Sequence, residues 1–490
     1  MTPPDLRRYA RSRAHQVRAH ALIPGGAHTY AKGDDQMPEH MPVVVARGEG
    51  CHVWDVDGNE YIEYGMGLRA VTLGHAEPRV NKAARRAMDD GLNFTRPAAI
   101  ELEAAEILAD LIPSAERVKF CKDGSSATTA AVKLARAATG RDLVAVCDAH
   151  PFLSQDDWFI GTTPMDAGIP QAVKDLTVSF PYGDASALQA LFDAHPGQIA
   201  CVIMEATRDE SDPTAYLREV REVCSREGAV FVLDEMITGF RWHARGAGYL
   251  FDVQPDLATF GKALANGFSA SALVGRAEIM DLGGFQASGD RVFLLSATHG
   301  AETVALGAAI ETLRICRDED VAGQLHRQGA RLREGVAQVV DHMKLQDHFG
   351  TAGRDCNLVF YTRDGAGEGS QPFRTLFLQE CIRRGLLAPS FVVSTAHTDS
   401  AIDRTVEIVA EALVPYAQAL DAGSVDGFLV GRPVQPVFRT RVGTVWTSGA
   451  PSALAPEAPG AEHPASGDGA PTSGTPAPPT PLSDSTPTHS

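Results

Sequence analysis

The stretch of sequence that decides the fold is LATFGKALANG, at residues 257–267. Its first four residues are typical of a short β-strand, and a single lysine, Lys262, follows directly. Glycines stand at positions 261 and 267, although glycine costs a helix roughly 1 kcal/mol. Because small residues flank Lys262, a flat ligand can lie against the backbone there. We interpret Lys262 as a lysine that holds an aldehyde cofactor as an imine and later carries a proton; in isolation, an ordinary loop lysine is the simpler interpretation.

A second stretch upstream, AVFVLDEMITGF at residues 229–240, supports the cofactor interpretation. Its five leading apolar residues predict a strand that is buried on both faces of a parallel sheet. The run stops at Asp234, and an acid at the carboxyl end of such a strand faces the crevice where open α/β sheets bind ligands. A buried carboxylate requires a cation opposite it, and a protonated pyridine nitrogen is one. We therefore predict that Asp234 keeps the ring of a pyridoxal cofactor protonated; a helix N-cap is the alternative.

The pair DEMITGFR (residues 234–241) and PDLATFGKALANG (residues 255–267) resembles the fold-type I, class III pyridoxal-phosphate aminotransferases, and within them the glutamate-1-semialdehyde aminomutase branch. WDVDGNEYIEY at residues 54–64 is similar to the N-terminal signature of that family. The similarity covers about residues 22–413. It implies an α/β fold with a large domain, built on a mostly parallel seven-stranded sheet flanked by helices, and a smaller α+β domain from both chain ends. The implied cofactor is pyridoxal 5′-phosphate.

Composition excludes several classes of partner. The 490 residues, 44% of them apolar, are enough for two domains or more. A net charge of −18 and a pI near 5.3 argue against nucleic acid or an anionic membrane surface as a partner. No apolar run approaches the roughly 20 residues of a membrane span, and no apolar segment of a signal peptide follows the basic N-terminal residues. We therefore expect a cytoplasmic protein.

The eight cysteines are scattered, without a CxxC pair and without histidines at metal-ligand spacing. Three of them, Cys121, Cys147 and Cys201, fall within or at the end of predicted buried strands. We interpret the cysteines as small core residues in a reducing compartment, and we predict no metal site and no disulfide.

Four regions are predicted along the chain. Residues 1–74 form a basic helical arm and part of the small domain, including a hairpin that turns at Asp57 and Gly58. Residues 75–325 form the large cofactor-binding domain, and residues 326–447 the C-terminal part of the small domain. A long helix that can break along its length is predicted at residues 302–340. The tail, residues 448–490, is rich in Pro, Ala, Gly, Ser and Thr and lacks aromatic residues, so we expect it to be disordered.

A phosphate site is predicted between a short strand at residues 118–121 and an Ala-rich helix at residues 127–138. Gly124, Ser125 and Ser126 lie between them, where backbone N–H groups, the helix dipole and serine hydroxyls attract an anion. They also stand where the resembling family has its phosphate loop. A serine N-cap with nothing bound is the alternative.

The resemblance places further residues around the cofactor. Either His150 or Phe152, after the predicted strand at residues 143–147, is expected to stack on the ring in place of the family's aromatic. Glu205 ends the predicted strand at residues 199–204 and occupies the family's glutamate-proline position. Met236 is expected to pack under the ring.

The resemblance also implies a homodimer with composite sites. In relatives, a threonine reaches across the dimer interface to the neighbouring subunit's phosphate. Thr298 is the best candidate for that role in this chain, with Ser296 behind it.

Two positions depart from the aminomutase pattern and bear on the substrate. Lys32 occupies the place of the family's carboxylate-binding arginine, but lysine lacks the planar fork of arginine. The tryptophan-bearing segment of the aminomutases is replaced by Met66–Arg69. We therefore expect a different substrate, such as an oxo sugar or another metabolite carbonyl, that contacts Lys32 and Arg69.

The predicted function is transfer of an amino group from an amino donor to the aldehyde or ketone carbonyl of a small metabolite. Amino transfer within one molecule, as in the aminomutases, is one alternative, and a non-catalytic relative that acts as an interaction protein is another. A nicotinamide dehydrogenase would need a GxGxxG turn between a strand and a helix, and the sequence has none so placed.

Overall fold

The computed structural model describes residues 6–148, 152–207, 211–285 and 289–439. His150 and the predicted tail at residues 448–490 lie outside the described residues. The strands are β1 (Val45–Glu49), β2 (His52–Asp55), β3 (Glu60–Glu63), β4 (Arg117–Cys121), β5 (Leu143–Cys147), β6 (Thr177–Phe180), β7 (Ile199–Met204), β8 (Val230–Asp234), β9 (Leu257–Phe260), β10 (Ser271–Gly275), β11 (Phe349–Ala352), β12 (Val359–Thr362) and β13 (Leu386–Leu387).

The helices are α1 (Ala10–Leu22), α2 (Met66–Arg69), α3 (Pro78–Asp89), α4 (Ala99–Leu111), α5 (Gly124–Thr139), α6 (Asp157–Ile160), α7 (Gln171–Lys174), α8 (Ala185–Ala194), α9 (Thr214–Glu227), α10 (Gly246–Leu250), α11 (Ala277–Met280), α12 (Thr303–Asp318), α13 (Val321–Met343), α14 (Gln371–Arg383) and α15 (Asp399–Asp421). Short 3₁₀ turns cover Leu6–Tyr9, Pro24–Gly26, Tyr30–Lys32, Asp34–Gln36, Lys262–Ala265, Asp281–Gly283 and Asp355–Asn357.

A seven-stranded sheet forms the centre of the molecule, in the order β4-β10-β9-β8-β7-β5-β6. The five strands from β9 to β6 run parallel, whereas β10 is antiparallel to both of its neighbours. Strands β5, β7, β8, β9 and β10 are buried along their whole length, as expected for parallel strands covered on both faces. The predicted mostly parallel seven-stranded sheet is confirmed.

Helices cover both faces of this sheet, because successive side chains of a strand point to opposite sides. In β8, Val230 and Val232 join one apolar cluster, which contains the alanine-rich face of α5. Phe231 and Leu233 join another, which contains residues of α4, α9 and α12. The continuous apolar run of β8 thus supplies two cores at once.

A second sheet, in the order β1-β2-β3-β13, draws on both ends of the chain. Strands β1, β2 and β3 form an antiparallel meander, and β13 pairs in parallel with β3, with Leu386 opposite Ile62. This is the smaller unit that the fold class requires. The domain boundaries after residues 74 and 325 stay predictions. The predicted long helix at residues 302–340 is divided into α12 and α13, and Asp320 caps the second of them by accepting from the backbone N–H of Gly323 at 3.1 Å.

The hairpin turn between β2 and β3 fastens the N-terminal helix. The Asp57 carboxylate accepts from the backbone N–H groups of Arg11 at 2.7 Å and Ser12 at 2.8 Å, and from the Ser12 hydroxyl at 2.6 Å. An acid at a helix N-terminus satisfies N–H groups that have no partner within the helix. The hairpin therefore anchors α1 as well as forming an edge of the small sheet.

All eight cysteines are buried. Cys121, Cys147 and Cys201 lie in β4, β5 and β7, as predicted. Among the described residues, no helix is both long enough and apolar enough to cross a membrane.

Candidate functional site

Three functional side chains meet at one edge of the large sheet. Strands β7, β8 and β9 are adjacent and parallel, so their carboxyl ends lie side by side. Glu205 follows β7, Asp234 ends β8, and Lys262 comes two residues after β9. The register pairs Asp234 with Thr259. Parallel pairing thus brings together residues that are 28 and 29 positions apart in sequence.

Asp234 is a buried carboxyl, and one of its two oxygens accepts hydrogen bonds from the described residues. Its Oδ1 accepts from the backbone N–H of Met236 at 2.9 Å and from the hydroxyl of Thr259 at 3.0 Å. Burial, together with the nearby Glu205, raises the pKa of Asp234 to about 7, and Lys262 partly opposes this rise. Since both donors among the described residues reach Oδ1, Oδ2 can accept from a ring N–H that also supplies positive charge.

Lys262 is held near these acids in a left-handed backbone conformation, with φ of 42°, at the start of the turn Lys262–Ala265. Burial lowers the pKa of Lys262, Arg69 lowers it further, and Asp234 and Glu205 partly offset this effect. A lysine with a lowered pKa has more of its neutral amine, which is the form that attacks carbonyls and accepts protons.

Asn266 ties the lysine-bearing turn to the preceding part of the chain. Its Oδ1 accepts from the backbone N–H groups of Thr72 and Leu73, both at 2.9 Å, and its Nδ2 donates to the carbonyl of Gly74 at 3.0 Å. Sequence reasoning missed this residue. Its only local signal is an asparagine before a glycine, which suits a left-handed turn, and its φ is 45°.

Replacing Asn266 with alanine is expected to lower the free energy of unfolding by about 2–4 kcal/mol, because two buried N–H groups lose their acceptor. Urea unfolding of the cofactor-free protein measures this change. Asn93 is the matched control, since it is exposed and has a nearly identical φ of 46°. The Asn93→Ala variant loses only the preference of asparagine for a left-handed backbone conformation. Equal destabilisation of the two variants would show that strain, and not the hydrogen bonds, explains the effect.

Met236 packs against two glycines at the same edge. A Cβ on Gly124 would lie 2.8 Å from the Met236 Sδ, and a Cβ on Gly261 would lie 2.6 Å from it. Any larger residue at either position would collide with this side chain. The thioether therefore lies directly against backbone that carries no side chain, and the placing of Met236 under a cofactor ring stays a prediction.

The predicted phosphate site lies at the same edge, because Cys121 at the end of β4 pairs with Ser271 at the start of β10. Helix α5 begins at Gly124 and not at residue 127, since Asp123 caps it. The Asp123 carboxylate accepts from the backbone N–H of Ser126 at 2.8 Å and from its hydroxyl at 3.0 Å. The Ser125 hydroxyl accepts from the backbone N–H of Gln155 at 3.0 Å, so its own proton can still be donated.

No hydrogen bond, ion pair or ring contact among the described residues joins the remaining predicted residues to Asp234 or Lys262. Phe152 is 47% exposed and contacts the edge of Phe159, with 6.0 Å between ring centroids. Thr298 and Ser296 are exposed. Lys32 is exposed at the end of its 3₁₀ turn, and no hydrogen bond or ion pair among the described residues connects it to Asp234 or Lys262. The roles assigned to these residues stay predictions.

Arg69 is the predicted substrate residue that does approach the cluster. It ends α2, whose four residues, Met66 to Arg69, have φ of 43°, 59°, 58° and 74°. This is a left-handed turn, a conformation that costs roughly 1–2 kcal/mol for each residue other than glycine. Arg69 Nε donates to Asn357 Oδ1 at 2.8 Å, and Arg69 is close enough to Lys262 to affect its pKa. Strain of this kind concentrates at functional sites.

Buried polar groups hold the strained turn in place. Both carboxylate oxygens of Glu63 accept from the backbone N–H of Met66 at 2.8 Å, and Glu63 also binds His75 Nε2 at 3.0 Å. The fully buried Arg241 donates to the carbonyl of Arg69 at 3.3 Å and to the hydroxyl of Thr72 at 3.0 Å. The contacts of Arg241 join residues far apart in sequence, and sequence reasoning identified none of the contacts in this network.

His397 precedes α15 and lies beside the backbone of Glu63. It is fully buried, its Nδ1 accepts from the Ser394 backbone N–H at 2.9 Å, and its Nε2 lies 3.2 Å from the carbonyl of Glu63. Burial lowers the pKa of His397 to about 3. The neutral ring therefore supports the backbone beside Glu63.

The residues at this edge fit pyridoxal 5′-phosphate. The Oδ2 of Asp234, which accepts no hydrogen bond from the described residues, suits the ring nitrogen, the Met236 thioether suits contact with a flat ring, and the proton of Ser125 suits the phosphate. Lys262 supplies an amine within the same cluster.

Comparisons with known proteins agree with this geometry. The family model described as aminotransferase class-III matches residues 34–349. A glutamate-1-semialdehyde 2,1-aminomutase of Halobacterium salinarum is 34% identical over 424 residues, which are 77% of this chain and 94% of that protein.

Two solved structures are similar over most of the chain. The PLP internal aldimine form of the FumI protein of Sphingopyxis sp. MTA144 has a TM-score of 0.77 and 27% identity, and the match covers 86% of this chain and 100% of that one. An omega-transaminase of Sphaerobacter thermophilus has a TM-score of 0.73 and 25% identity, with coverage of 83% and 98%. The chain therefore belongs to the class-III aminotransferase family, whose pyridoxal 5′-phosphate chemistry its sheet edge is built to accommodate.

Proposed function

We propose that this protein transfers an amino group from an amino donor to the aldehyde or ketone carbonyl of a small metabolite that carries an anionic group. The observation that carries the proposal is the meeting of Lys262, with its lowered pKa, and the buried carboxyl of Asp234 at one sheet edge. The pyridoxal cofactor, when bound, withdraws electrons from the carbon that bears the amino group.

Each residue of the cluster has a separate role in the proposed reaction. The Lys262 amine takes a proton from the α carbon of the donor and returns one to the acceptor. The Asp234 carboxylate holds a proton on the ring nitrogen through its Oδ2. Glu205 adds negative charge beside Asp234. A positively charged ligand group is therefore favoured at this site.

Arg69 is the proposed recognition residue for the anionic group of the substrate. Its guanidinium is half-buried and held by Asn357, and the left-handed turn fixes the backbone from which it projects. An oriented guanidinium binds carboxylates and phosphates through paired hydrogen bonds. Lys32 is proposed to assist from the exposed N-terminal segment.

Replacing Arg69 with alanine is expected to raise KM for an anionic acceptor about 10- to 100-fold and to change kcat less, since the lost contact exists in both ground and transition states. Steady-state rates with a 2-oxo acid and with an uncharged aldehyde of similar size measure this. The Arg69→Lys variant should recover part of the affinity, because it keeps the charge without the fork. An equal loss with both acceptors would contradict the assignment.

The experiment that tests the proposed function is an absorption spectrum of the purified protein before and after borohydride reduction, followed by identification of the modified peptide. We expect visible absorption from bound cofactor, bleached by borohydride, with the adduct on Lys262. A colourless protein that stays colourless with added pyridoxal phosphate would support a non-catalytic relative instead.

Amino transfer within a single molecule is the second candidate, because the relative from Halobacterium salinarum is named an aminomutase. An aminomutase needs no separate donor. Turnover of a single amino substrate without any added donor or acceptor would favour it, and strict dependence on a donor would favour the aminotransferase.

We further propose that the enzyme is a cytoplasmic homodimer with composite sites. Exposed aromatic residues support the association: Phe285 is 92% exposed, Phe293 71% and Phe94 53%. Aromatic residues are enriched at protein–protein interfaces. The exposed Thr298 is then the residue that reaches the neighbouring subunit's phosphate, and the eight free cysteines suit a reducing compartment.

A further inference from the structure

The first turn of α5 contains a negative charge where the proposed cofactor brings another. Helix α5 starts at the sheet edge beside Met236, whose Sδ lies 2.8 Å from a Cβ built on Gly124. This turn is the predicted phosphate site, so the phosphate of the proposed cofactor would be held there. The residue that precedes Gly124 is an aspartate, Asp123, and its side chain is exposed.

Asp123 already binds the groups that an anion would use. Its Oδ1 accepts from the backbone N–H of Ser126, and its Oδ2 accepts from the Ser126 hydroxyl. The Gly124 N–H, the Ser125 N–H and the Ser125 hydroxyl are the donors of this turn that Asp123 does not use. Ser126, which we had predicted to be part of the phosphate site, is thus committed to Asp123.

An aspartate N-cap stabilises a helix by itself, since it complements the positive end of the helix dipole. Helix α8 shows the same arrangement: Asp184 caps it by accepting from the Ala187 backbone N–H at 2.9 Å. The start of α5 differs from that of α8 because a second anion, the cofactor's phosphate, is proposed to bind there. A phosphate dianion at the start of α5 meets a carboxylate of like charge that competes for the same helix end.

We propose that Asp123 is a competing internal anion that weakens the binding of the cofactor's phosphate and so sets how readily the cofactor leaves this site. The inference rests on the proposed function. When the phosphate binds, the Asp123 carboxylate is repelled from the first turn of α5, and the N–H of Ser126 becomes available to the phosphate. Asp123 therefore acts on the phosphate and not on the ring.

The test is the affinity of the cofactor-free full-length protein for pyridoxal 5′-phosphate and for pyridoxal, which lacks the phosphate, measured by absorbance titration. The Asp123→Asn variant keeps a good N-cap without the charge. We expect it to bind pyridoxal 5′-phosphate about tenfold more tightly than the wild type at low ionic strength, since like charges a few ångströms apart near a surface cost about that much. Its affinity for pyridoxal should be unchanged.

Two controls separate this effect from a general change in stability. Asp184→Asn removes the matched acidic cap of α8 and should leave both affinities at the wild-type values. Raising the salt concentration should narrow the difference between the wild type and Asp123→Asn, because salt screens exposed charges. If Asp123→Asn unfolds, Asp123→Ser replaces it as a neutral cap.

Equal affinity of the wild type and Asp123→Asn for pyridoxal 5′-phosphate would overturn the proposal. Weaker binding by the variant, or tighter binding of pyridoxal as well, would also overturn it. A wild-type protein that binds neither compound would instead remove the proposed function, so the two failures are distinguishable.

Discussion

Replacing Lys262 with alanine is expected to abolish amino transfer, with kcat falling by at least about 10⁴-fold. The variant loses both the amine that attacks the carbonyl and the base that moves the proton, and each contributes orders of magnitude. The same variant should still bind the cofactor but yield no borohydride-stable adduct on the peptide at residues 257–267. Stopped-time assays of product and mass spectrometry of the reduced protein measure the two effects.

Lys119 is the control for this substitution. It lies in β4 of the same sheet, and its side chain is exposed, so Lys119→Ala should leave the rate and the adduct unchanged. If Lys262→Ala retained substantial activity, or if the adduct appeared on another lysine, the assignment of the reactive amine would be wrong.

Replacing Asp234 with asparagine is expected to lower kcat/KM about 10³-fold, because an amide cannot stabilise a proton on the ring nitrogen. Glu235 is the matched control, since it is the next residue and equally buried. Its carboxylate instead accepts from the backbone N–H groups of Ala247 and Gly248, both at 2.8 Å, at the start of α10. Glu235→Gln should therefore reduce stability and keep activity per folded molecule. If Glu235→Gln lost activity and Asp234→Asn kept it, Glu235 and not Asp234 would be the carboxyl that acts on the cofactor ring.

The Asp234→Asn substitution should also make the cofactor-free protein more stable at alkaline pH. The pKa of Asp234 is raised to about 7 by burial, above the value of about 4 for an unfolded chain. A raised pKa means that this carboxyl favours folding below pH 4 and that its contribution is lost as the pH rises through 7. At pH 8, cofactor-free Asp234→Asn should exceed the wild type by up to a few kcal/mol in free energy of unfolding, with no difference near pH 4. Urea unfolding at the two pH values measures this.

Much of the fold was predictable because it depends on short-range patterns. The apolar runs of β5, β7 and β8 predicted buried parallel strands, and the Asp57-Gly58 turn predicted the hairpin. The start of α5 was placed three residues late, because the sequence pattern registers a helix by its apolar spacing, whereas the actual start depends on the side-chain bond from Asp123 to Ser126. The residues of β10 did not indicate that this strand runs antiparallel to its neighbours β4 and β9.

The candidate site was predictable to a different extent. Lys262 and Asp234 each follow a strand, so their meeting required only that β8 and β9 be neighbours. Asn266, Glu63 and Arg241 could not be found in the same way. Thr72, for example, lies 169 positions from Arg241 and 194 positions from Asn266, and no local sequence pattern indicates such a contact.

The amino-acid sequence alone determined which segments become buried strands and which of them end near an amine or a carboxyl. This was possible because burial and alternation are patterns of residues that are neighbours in sequence. Only the tertiary structure decided what surrounds those groups. It left one oxygen of Asp234 free while Glu235 became a helix cap, and it brought Arg69 beside Lys262 on a left-handed turn. It also placed the charge of Asp123 at the predicted phosphate site. Each of these outcomes depends on how chain segments distant in sequence pack in space, where desolvation and like-charge repulsion set the free energy.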